Sequence, residues 1–337
     1  MRKCLLLFLF ASIFSYAQQA DFSHIDFKKA DSIALLHKGQ SLKNLPVLTH
    51  KLTADLTTDV EKFRAIYTWV STNIENDYNA YLRTRKNRKK ITKDREAFML
   101  WNNGFTPKVF EKLLDQKKTA CTGYAFLIKE LANLSDIDCK IIDGYGRTAT
   151  LFLNDKSVPN HSWNAVSLHG KWYLCDATWS TGRTIITEEG PKFEFEYYDG
   201  YFLADPELFV KNHYPLDTKW TLLKEYPTFK DFIAGPIVYK DAFQLKMSPT
   251  IPQKMKLETL KDKEVFFKIV SQNNVSERKI GLLLNRGGSN KEVMPAITKN
   301  KNDYTLAYTF KKTGLYDTHI QVNDSIIASY VVRVKKK

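Results

Sequence analysis

The spacing of apolar and polar residues predicts helices in the first half of the chain. A capping-box pattern at residues 58–61 precedes apolar residues at helical spacing, which indicates a helix that begins there. A second helix is predicted over residues 121–134, because its apolar residues share one face. Residues 31–36 and 45–56 also have helical patterns, whereas the highly charged residues 79–105 are predicted to form a loop or an exposed segment.

Strand patterns follow the second helix. They cover residues 139–145, 161–168 and 171–176, and the two residues between the last two patterns predict a β-hairpin. In such a hairpin Trp163 opposes Asp176, and side chains alternate between the two faces of each strand. This register determines which side chains can meet.

The register places the polar residues of the hairpin on defined faces. His161, Trp163 and Asp176 are predicted to share one face, whereas Asn164 and Cys175 share the other. His161 is then a diagonal neighbour of Asp176, at roughly 7–8 Å between backbones, a gap that an imidazole and a carboxylate can bridge.

The pattern changes again at about residue 245. Short segments of alternating apolar and polar residues cover residues 265–270, 279–284, 304–310, 316–322 and 328–334. Several short strands at this spacing are typical of a β-sandwich. We therefore predict an accessory all-β domain over residues 245–337.

The net charge of +14 is concentrated in short segments. The segment from Arg83 to Arg95 carries +7 and the C-terminal segment from Arg333 to Lys337 carries +4, so most of the chain is close to neutral. The basic segment contains no aromatic residue on which a base could stack, so no nucleic acid is expected as a partner. A solvated loop is the favoured interpretation, and contact with an anionic envelope polymer or with an acidic protein substrate is the alternative.

The first 17 residues have the features of a secretory signal. A basic start and an apolar run are followed by small residues that end at Ala17. The run is too short to span a bilayer unless it is retained as an anchor, so we expect cleavage, no transmembrane helix afterwards, and a periplasmic or secreted protein. Cys121, Cys139 and Cys175 then remain, and at least one thiol is expected to be free.

Cys121 opens the second predicted helix. The positive end of the helix dipole and free backbone N–H groups favour a thiolate there. If the helix packs on the face that carries His161, the thiol, the imidazole and the Asp176 carboxylate line up as nucleophile, base and orienting group. No pair among these residues has the close spacing of a zinc site, so neither a metal nor another cofactor is expected.

The sequence around these residues resembles a known family. The blocks TACTGYAFL, HSWNAV and KWYLCDATWSTG are similar to the transglutaminase-like superfamily, which has a papain-like fold. The resemblance extends upstream to KFRAIYTWVSTNIENDY and downstream to YFLADPELFVKNHYPLDTKWTLL. The last block resembles the kyphoscoliosis-peptidase-like branch, whose members often carry a trailing β-sandwich.

The resemblance implies a fold and a set of site residues. The expected fold is an α+β core over residues 18–240, with the cysteine-bearing helix packed on a small antiparallel sheet, followed by an immunoglobulin-like sandwich. Cys121, His161 and Asp176 match the cysteine, histidine and aspartate of the family's triad. The backbone N–H of Cys121 would donate to an oxyanion.

The family also implies an activity. We expect an exported cysteine enzyme that acts on amide bonds of proteins or peptides through an acyl-thioester, with a peptidase or amidase favoured over a transglutaminase. A catalytically weak or inactive binding or scaffold protein of the cell envelope is the alternative.

Some details stay open at this stage. Tyr78, Trp101 and Trp163 are each candidates for the second oxyanion donor. Trp163 and Trp179 could be walls of the cleft or part of the core. Cys175 is expected to be a buried neighbour of Asn164, and a Cys139–Cys175 disulfide is the less favoured alternative.

Overall fold

The computed structural model describes residues 19–90, 95–272 and 280–336. The predicted signal at residues 1–17 lies outside the described residues, as do residue 279 and the side chain of Trp101.

Helices dominate the first part of the described chain, and one pair of very short strands interrupts them. The elements in chain order are α1 (Lys28–Leu36), α2 (Leu45–Thr53), α3 (Asp59–Asn73), β1 (Glu75–Asn76), α4 (Tyr78–Lys90), α5 (Arg95–Gln116), β2 (Lys118–Thr119) and α6 (Cys121–Asn133).

A small sheet and several short helices follow α6. These elements are β3 (Cys139–Gly146), β4 (His161–Leu168), β5 (Lys171–Cys175), α7 (Ala177–Thr181), β6 (Gly182–Thr187), β7 (Gly190–Phe195), α8 (Pro206–Phe209), β8 (His213–Pro215), α9 (Phe229–Ala234), β9 (Ile237–Val238) and α10 (Lys240–Leu245).

The last part of the chain consists of strands. They are β10 (Met247–Ile251), β11 (Lys256–Leu260), β12 (Glu264–Ser271), β13 (Ile280–Arg286), β14 (Ser289–Val293), β15 (Ala296–Asn300), β16 (Asp303–Thr309), β17 (Gly314–Val322) and β18 (Ser325–Lys335). They form one sheet in the order β10-β12-β16-β15 and another in the order β11-β18-β17-β13-β14. Apolar side chains from both sheets share one buried cluster, which is the arrangement of a β-sandwich.

The local signals in the sequence produce the elements that they predict. The Thr58 side chain caps α3 while Glu61 returns a hydrogen bond to the Thr58 backbone, so the capping box is formed. The hairpin of β4 and β5 pairs Asn164 with Cys175 and Leu168 with Lys171, which is the predicted register.

Of the two alternatives predicted for residues 79–105, the loop is wrong, because helices α4 and α5 cover most of that segment. The other alternative, an exposed segment, agrees with the exposed basic side chains of α4. Asp77 starts α4 by accepting a hydrogen bond from the Ala80 backbone N–H at 2.8 Å. Lysine and arginine are good helix formers, so a dense run of positive charge is compatible with an exposed helix.

The four-stranded sheet, in the order β5-β4-β3-β8, has a core on each face. Val166 and Leu168 of β4 join a cluster with α3 and α6, whereas Trp163 and Ala165 join the cluster that contains the sandwich residues. The short strand β9 also pairs with β18, which connects the end of the first part to a sandwich sheet. Within the described residues, we find no helix with the length and apolar character needed to cross a bilayer.

The start of α6 is closely packed against the strand that precedes it. A Cβ atom on Gly123 would lie 2.0 Å from Thr119 Oγ1 and 2.8 Å from Thr119 Cβ. The second atom is attached to the backbone and cannot rotate away. Residue 123 therefore has to be glycine for β2 and α6 to approach each other.

We expect Gly123→Ala to lower the free energy of unfolding by about 1–3 kcal/mol, because the added methyl overpacks this contact. Gly104→Ala is the matched control, since Gly104 lies in α5 and a Cβ there meets nothing within 4 Å. Alanine should stabilise that helix by roughly 0.5–1 kcal/mol. Urea unfolding of the two variants measures both effects, and equal effects would contradict the packing argument.

Candidate active site

Cys121 is the first residue of α6 and lines an open pocket. The preceding residue, Ala120, is the N-cap and supplies no side-chain hydrogen bond. Cys121 thus lies at the positive end of the helix dipole. The pocket has a volume of about 530 Å³, and Cys121 and His161 both line it.

His161 and Asp176 meet as the hairpin register predicts. His161 Nε2 lies 2.7 Å from Asp176 Oδ2, and both side chains are buried. Asp176 follows β5 and caps α7, where its Oδ1 accepts hydrogen bonds from the backbone N–H groups of Thr178 (2.8 Å) and Trp179 (3.3 Å). The start of α7 thus fixes the orientation of the carboxylate.

The thiol reaches the imidazole by a route that the sequence does not predict. The side chains of Cys121 and His161 are hydrogen-bonded, and Nδ1 is the ring nitrogen that Asp176 leaves available. The body of α6, however, packs on the opposite face of β4, where Asn164 Nδ2 donates to Ala125 O at 2.9 Å. The residues still meet, because Cys121 begins its helix and His161 begins its strand, at the edge where the two faces join.

The charges at the site stabilise one another. Burial alone would lower the pKa of His161, but the charge and hydrogen bond of Asp176, with the hydrogen bond to Cys121, raise it to about 10. Burial would raise the pKa of Asp176, yet the two neighbouring histidines hold it well below its usual value. A protonated His161 beside Cys121 favours the thiolate form of the cysteine.

A second histidine, His213, also binds Asp176. Its Nε2 lies 3.0 Å from Asp176 Oδ2, the oxygen that His161 contacts. Burial lowers the pKa of His213 to about 4, despite the hydrogen bond to Asp176 that favours the charged ring. His213 is therefore neutral at pH 7 and donates from Nε2 to the carboxylate.

A neutral His213 determines the hydrogen bonds behind it. Its Nδ1 must accept, and the partner at 2.6 Å is the side-chain amide of Asn212. The oxygen and nitrogen of an amide have nearly the same shape, so the proton balance decides its orientation. The structure places Asn212 Oδ1 toward His213 Nδ1, with Asn212 Nδ2 donating to the Tyr201 hydroxyl at 3.3 Å. A neutral His213 requires the opposite orientation, in which the NH₂ donates to Nδ1 and the Tyr201 hydroxyl donates to the amide oxygen.

Aromatic and glycine contacts hold the His161 ring in place. Trp179 stacks on it at 5.1 Å between ring centroids, with an interplanar angle of 29°. A Cβ on Gly146 would lie 3.1 Å from both His161 and Trp179, so residue 146 must be small. Of the two tryptophans left open by the sequence, Trp179 is a pocket wall and Trp163 is core, at 1% exposure.

The three candidates for a second oxyanion donor differ in whether they line the pocket. Tyr78 lines the pocket with Cys121. Trp163 is buried on the other side of the histidines, and its Nε1 has no hydrogen-bond partner. Trp101 lies outside the described side chains.

The other two cysteines lie away from the pocket. Cys139 and Cys175 are free and buried, and Cys175 pairs with Asn164 across the hairpin as expected. Burial raises the pKa of the Cys139 thiol to about 12 and that of Cys175 well above its usual value.

The ligand atoms of His161, Asp176 and His213 lie within 4.8 Å of one another, a spacing that a metal ion could also use. Both histidine nitrogens, however, are at hydrogen-bond distance from the same Asp176 oxygen, and the other oxygen already accepts two N–H groups. A bound ion would have to replace hydrogen bonds that satisfy these groups. We therefore describe the cluster as a hydrogen-bond network.

Comparison with known proteins assigns part of the chain to a family. Residues 46–177, which include α6 and the hairpin, match the model of the transglutaminase-like superfamily. The chain contains a transglutaminase-like domain. The matched residues include Cys121, His161 and Asp176, and they end just after Asp176.

Relatives of the transglutaminase-like domain occur in animal proteins. Kyphoscoliosis peptidase of Homo sapiens is 32% identical over 211 residues, which cover 61% of this chain and 28% of that protein. The Mus musculus protein is 30% identical over 243 residues, or 70% of this chain and 33% of that protein. Hillarin of Drosophila melanogaster is 30% identical over 226 residues, which cover 64% of this chain and 25% of that protein. The chain thus matches a third or less of the length of these relatives.

Similarity to solved structures is lower. A crystal structure of a TGase is 16% identical and covers 45% of this chain and 32% of its own, with a TM-score of 0.27. The crystal structure of the Lin-41 filamin domain is 13% identical, and the match covers 30% of this chain and 97% of that domain, with a TM-score of 0.22.

Sequence reasoning did not single out His213. The residue lies within the block YFLADPELFVKNHYPLDTKWTLL, but β8 is only three residues long and has no recognisable alternation. Its pairing with β3 brings His213 opposite Gly146, a long-range contact that no local pattern contains. The signal available in the sequence is a histidine inside a family-like block.

We expect His213→Gln to reduce the acid sensitivity of folding. The unfolded chain binds a proton at histidine near pH 6.5, whereas folded His213 binds it only near pH 4, so the wild type loses stability as pH falls through that window. Glutamine can still donate to Asp176 but does not titrate. The slope of unfolding free energy against pH between 6.5 and 4 should fall by up to about 1.4 kcal/mol per pH unit.

The matched control is His24→Gln, because His24 is exposed. Urea unfolding at several pH values gives the slopes of the wild type and both variants. A slope in His213→Gln equal to that of the wild type would mean that His213 is not held neutral.

Proposed function

We propose that this protein is an exported cysteine enzyme that cleaves amide bonds of proteins or peptides through an acyl-thioester. The observation that carries the proposal is the hydrogen-bonded series Cys121–His161–Asp176, with the thiol facing an open pocket. The name of the peptidase relatives and the signal-like N-terminus support the choice of substrate and the export.

Each residue of the series has a proposed role in the first half of the reaction. The Cys121 thiolate attacks the amide carbonyl, and the oxyanion that forms meets the first turn of α6, at the positive end of the helix dipole. Protonated His161 gives its proton to the amine as the C–N bond breaks, which leaves an acyl-thioester on Cys121. Asp176 keeps the ring oriented and stabilises its charged form.

The second half restores the enzyme. Neutral His161 takes a proton from water, and the hydroxide attacks the thioester carbonyl. The C–S bond then breaks, and Cys121 leaves as the thiolate beside protonated His161. An amine in place of water would give a cross-linked product by the same steps. Hydrolysis is preferred here, because no feature of the described pocket marks a dedicated amine site.

A catalytically weak or inactive scaffold of the cell envelope is the second candidate. The β-sandwich favours it, because sandwich domains commonly serve as binding modules. The two candidates differ in one measurable property, the reactivity of Cys121, since a scaffold needs no activated thiol.

Treatment with iodoacetamide at pH 6 should label Cys121 at least about tenfold faster than a free peptide cysteine. The pair with protonated His161 keeps Cys121 ionised at this pH, whereas an ordinary thiol with a pKa near 8.5 is protonated. Peptide mapping by mass spectrometry gives the rate at each cysteine.

Cys139 and Cys175 are internal controls, because both thiols are free and buried and have raised pKa values. They should stay unlabelled in the folded protein. His161→Ala should reduce labelling of Cys121 to the rate of a free thiol. Slow labelling of Cys121 in the wild type would favour the scaffold.

Cys121→Ala should fold like the wild type and lose amidase activity by at least about a thousandfold. The side chain is small, and its removal leaves the His161–Asp176 hydrogen bond in place. Release of amines from a casein digest measures the activity, and thermal unfolding measures the fold. Activity that survives in this variant would show that Cys121 is not the nucleophile.

A further inference from the structure

Arg64 and Arg147 are both buried, but in the described part of the chain only Arg64 is paired with carboxylates. The Arg64 side chain binds the carboxylates of Asp31 and Asp199. Burial alone would lower its pKa, but the hydrogen bond and charges of these partners raise it above its usual value. Arg64 is thus an ordinary buried ion pair within the helical part of the fold.

Arg147 has no such partner. It is only 7% exposed, and among the described residues no carboxylate lies within salt-bridge distance of it. Its Nη1 donates to Pro236 O at 2.8 Å and its Nη2 to Gly235 O at 2.7 Å. Carbonyl dipoles do not supply a full negative charge, and burial lowers the pKa of Arg147 to about 10. A buried cation left in this state is costly unless something else offsets its charge.

The position of Arg147 shows where a counter-charge could come from. Arg147 lines the pocket that contains Cys121 and His161. It directly follows Gly146, whose Cα faces the His161 ring, and its own backbone N–H donates to Asn212 O at 2.8 Å. The arginine is therefore fixed on two sides beside the proposed reaction centre.

No carboxylate is found among the described residues of the pocket wall, since none of them is an aspartate or a glutamate. The lining residues Arg147 and Lys240 are cationic. Lys240 is paired, because its Nζ lies 3.1 Å from Glu196 Oε2 and over the ring of Tyr198. Arg147 is the cation of the pocket wall whose charge remains uncompensated by a carboxylate.

We propose that Arg147 is a substrate-binding residue that recognises a carboxylate near the amide bond to be cleaved, so that the substrate class is acidic peptides or proteins. A guanidinium has five N–H donors, and the contacts with Pro236 O, Gly235 O and Met255 Sδ leave Nε–H and one N–H of Nη1 for a carboxylate. The carboxylate belongs either to an Asp or Glu side chain or to the C-terminus of the substrate. This inference rests on the proposed function, because it assumes that Cys121 attacks an amide in this pocket.

Two pairs of covalent probes for Cys121 test the inference without a known substrate. The first pair is acetyl-Glu-Gly and acetyl-Gln-Gly chloromethyl ketone, which differ in one side-chain carboxylate. The second pair is an epoxysuccinyl dipeptide that ends in a free carboxylate or in a carboxamide. The second-order rate of adduct formation at Cys121 is measured for each probe by mass spectrometry.

In the wild type, the carboxylate member of one pair should react at least about tenfold faster than its neutral partner, because a charge-assisted bond to arginine is lost in the latter. A preference in the first pair identifies a side-chain carboxylate, and one in the second pair a C-terminal carboxylate. Rapid labelling of Cys121 with no preference in either pair would overturn the role of Arg147 and leave the proposed function intact. A Cys121 no faster than a free thiol would overturn both.

Arg147→Gln should reduce the preference to near onefold, with the neutral probe of each pair giving the reference rate within the same variant. The matched controls are Lys240→Gln, which removes the paired cation of the same pocket, and Arg183→Gln, which removes an exposed cation outside it. Both should keep the preference. Retention of the preference in Arg147→Gln would overturn the inference.

Arg147 also connects two segments of the chain, so Arg147→Gln could unfold the protein. Arg147→Lys then decides, because lysine keeps the charge but lacks the planar fork that binds a carboxylate through two N–H groups. The preference should fall at least about threefold in this variant. An unchanged preference in a folded Arg147→Lys would count against recognition by Arg147.

Discussion

The buried carboxylate of Asp176 is the group on which the geometry of the site depends. One oxygen binds two histidines, and the other accepts two backbone N–H groups at the start of α7. A buried charge is tolerated only with such complete pairing. Because both oxygens are occupied, the carboxylate cannot turn, and His161 is held in one orientation toward Cys121. His213 stays neutral, so the negative charge of Asp176 is left for His161 to balance.

The β-sandwich contributes to the surroundings of this network. Trp163, which contacts both histidines, belongs to the same buried cluster as residues of β12, β17 and β18. Val238 of β9 pairs with Ala328 of the sandwich and also lines the pocket. Ligand pockets are common where two packed units meet. Changes in sandwich packing can therefore reach the pocket wall through β9 and Trp163.

Local sequence signals predict the pieces of this structure better than they predict how the pieces meet. The capping box of α3, the hairpin register and the Cys121 helix depend on neighbouring residues, and they were predictable. The helices over residues 79–105 were missed because a charged run was equated with a loop. The packing face of α6 and the approach of His213 depend on contacts between distant segments. Periodicity contains no information about such contacts, and the family resemblance supplied the expected triad residues but neither the packing face of α6 nor His213.

The charges relevant to a ligand in the pocket differ from those that dominate the composition. The basic residues of α4 lie largely in solvent, where salt screens their field within about 10 Å. Arg85 and Lys89 line a separate groove beside Phe152 instead of the Cys121 pocket. Arg147 is a single charge, but it is buried, and a low-dielectric environment strengthens its interaction with any group beside it. One buried arginine can therefore discriminate between ligands more strongly than a longer run of exposed lysines, even though it contributes only one unit to the net charge of +14.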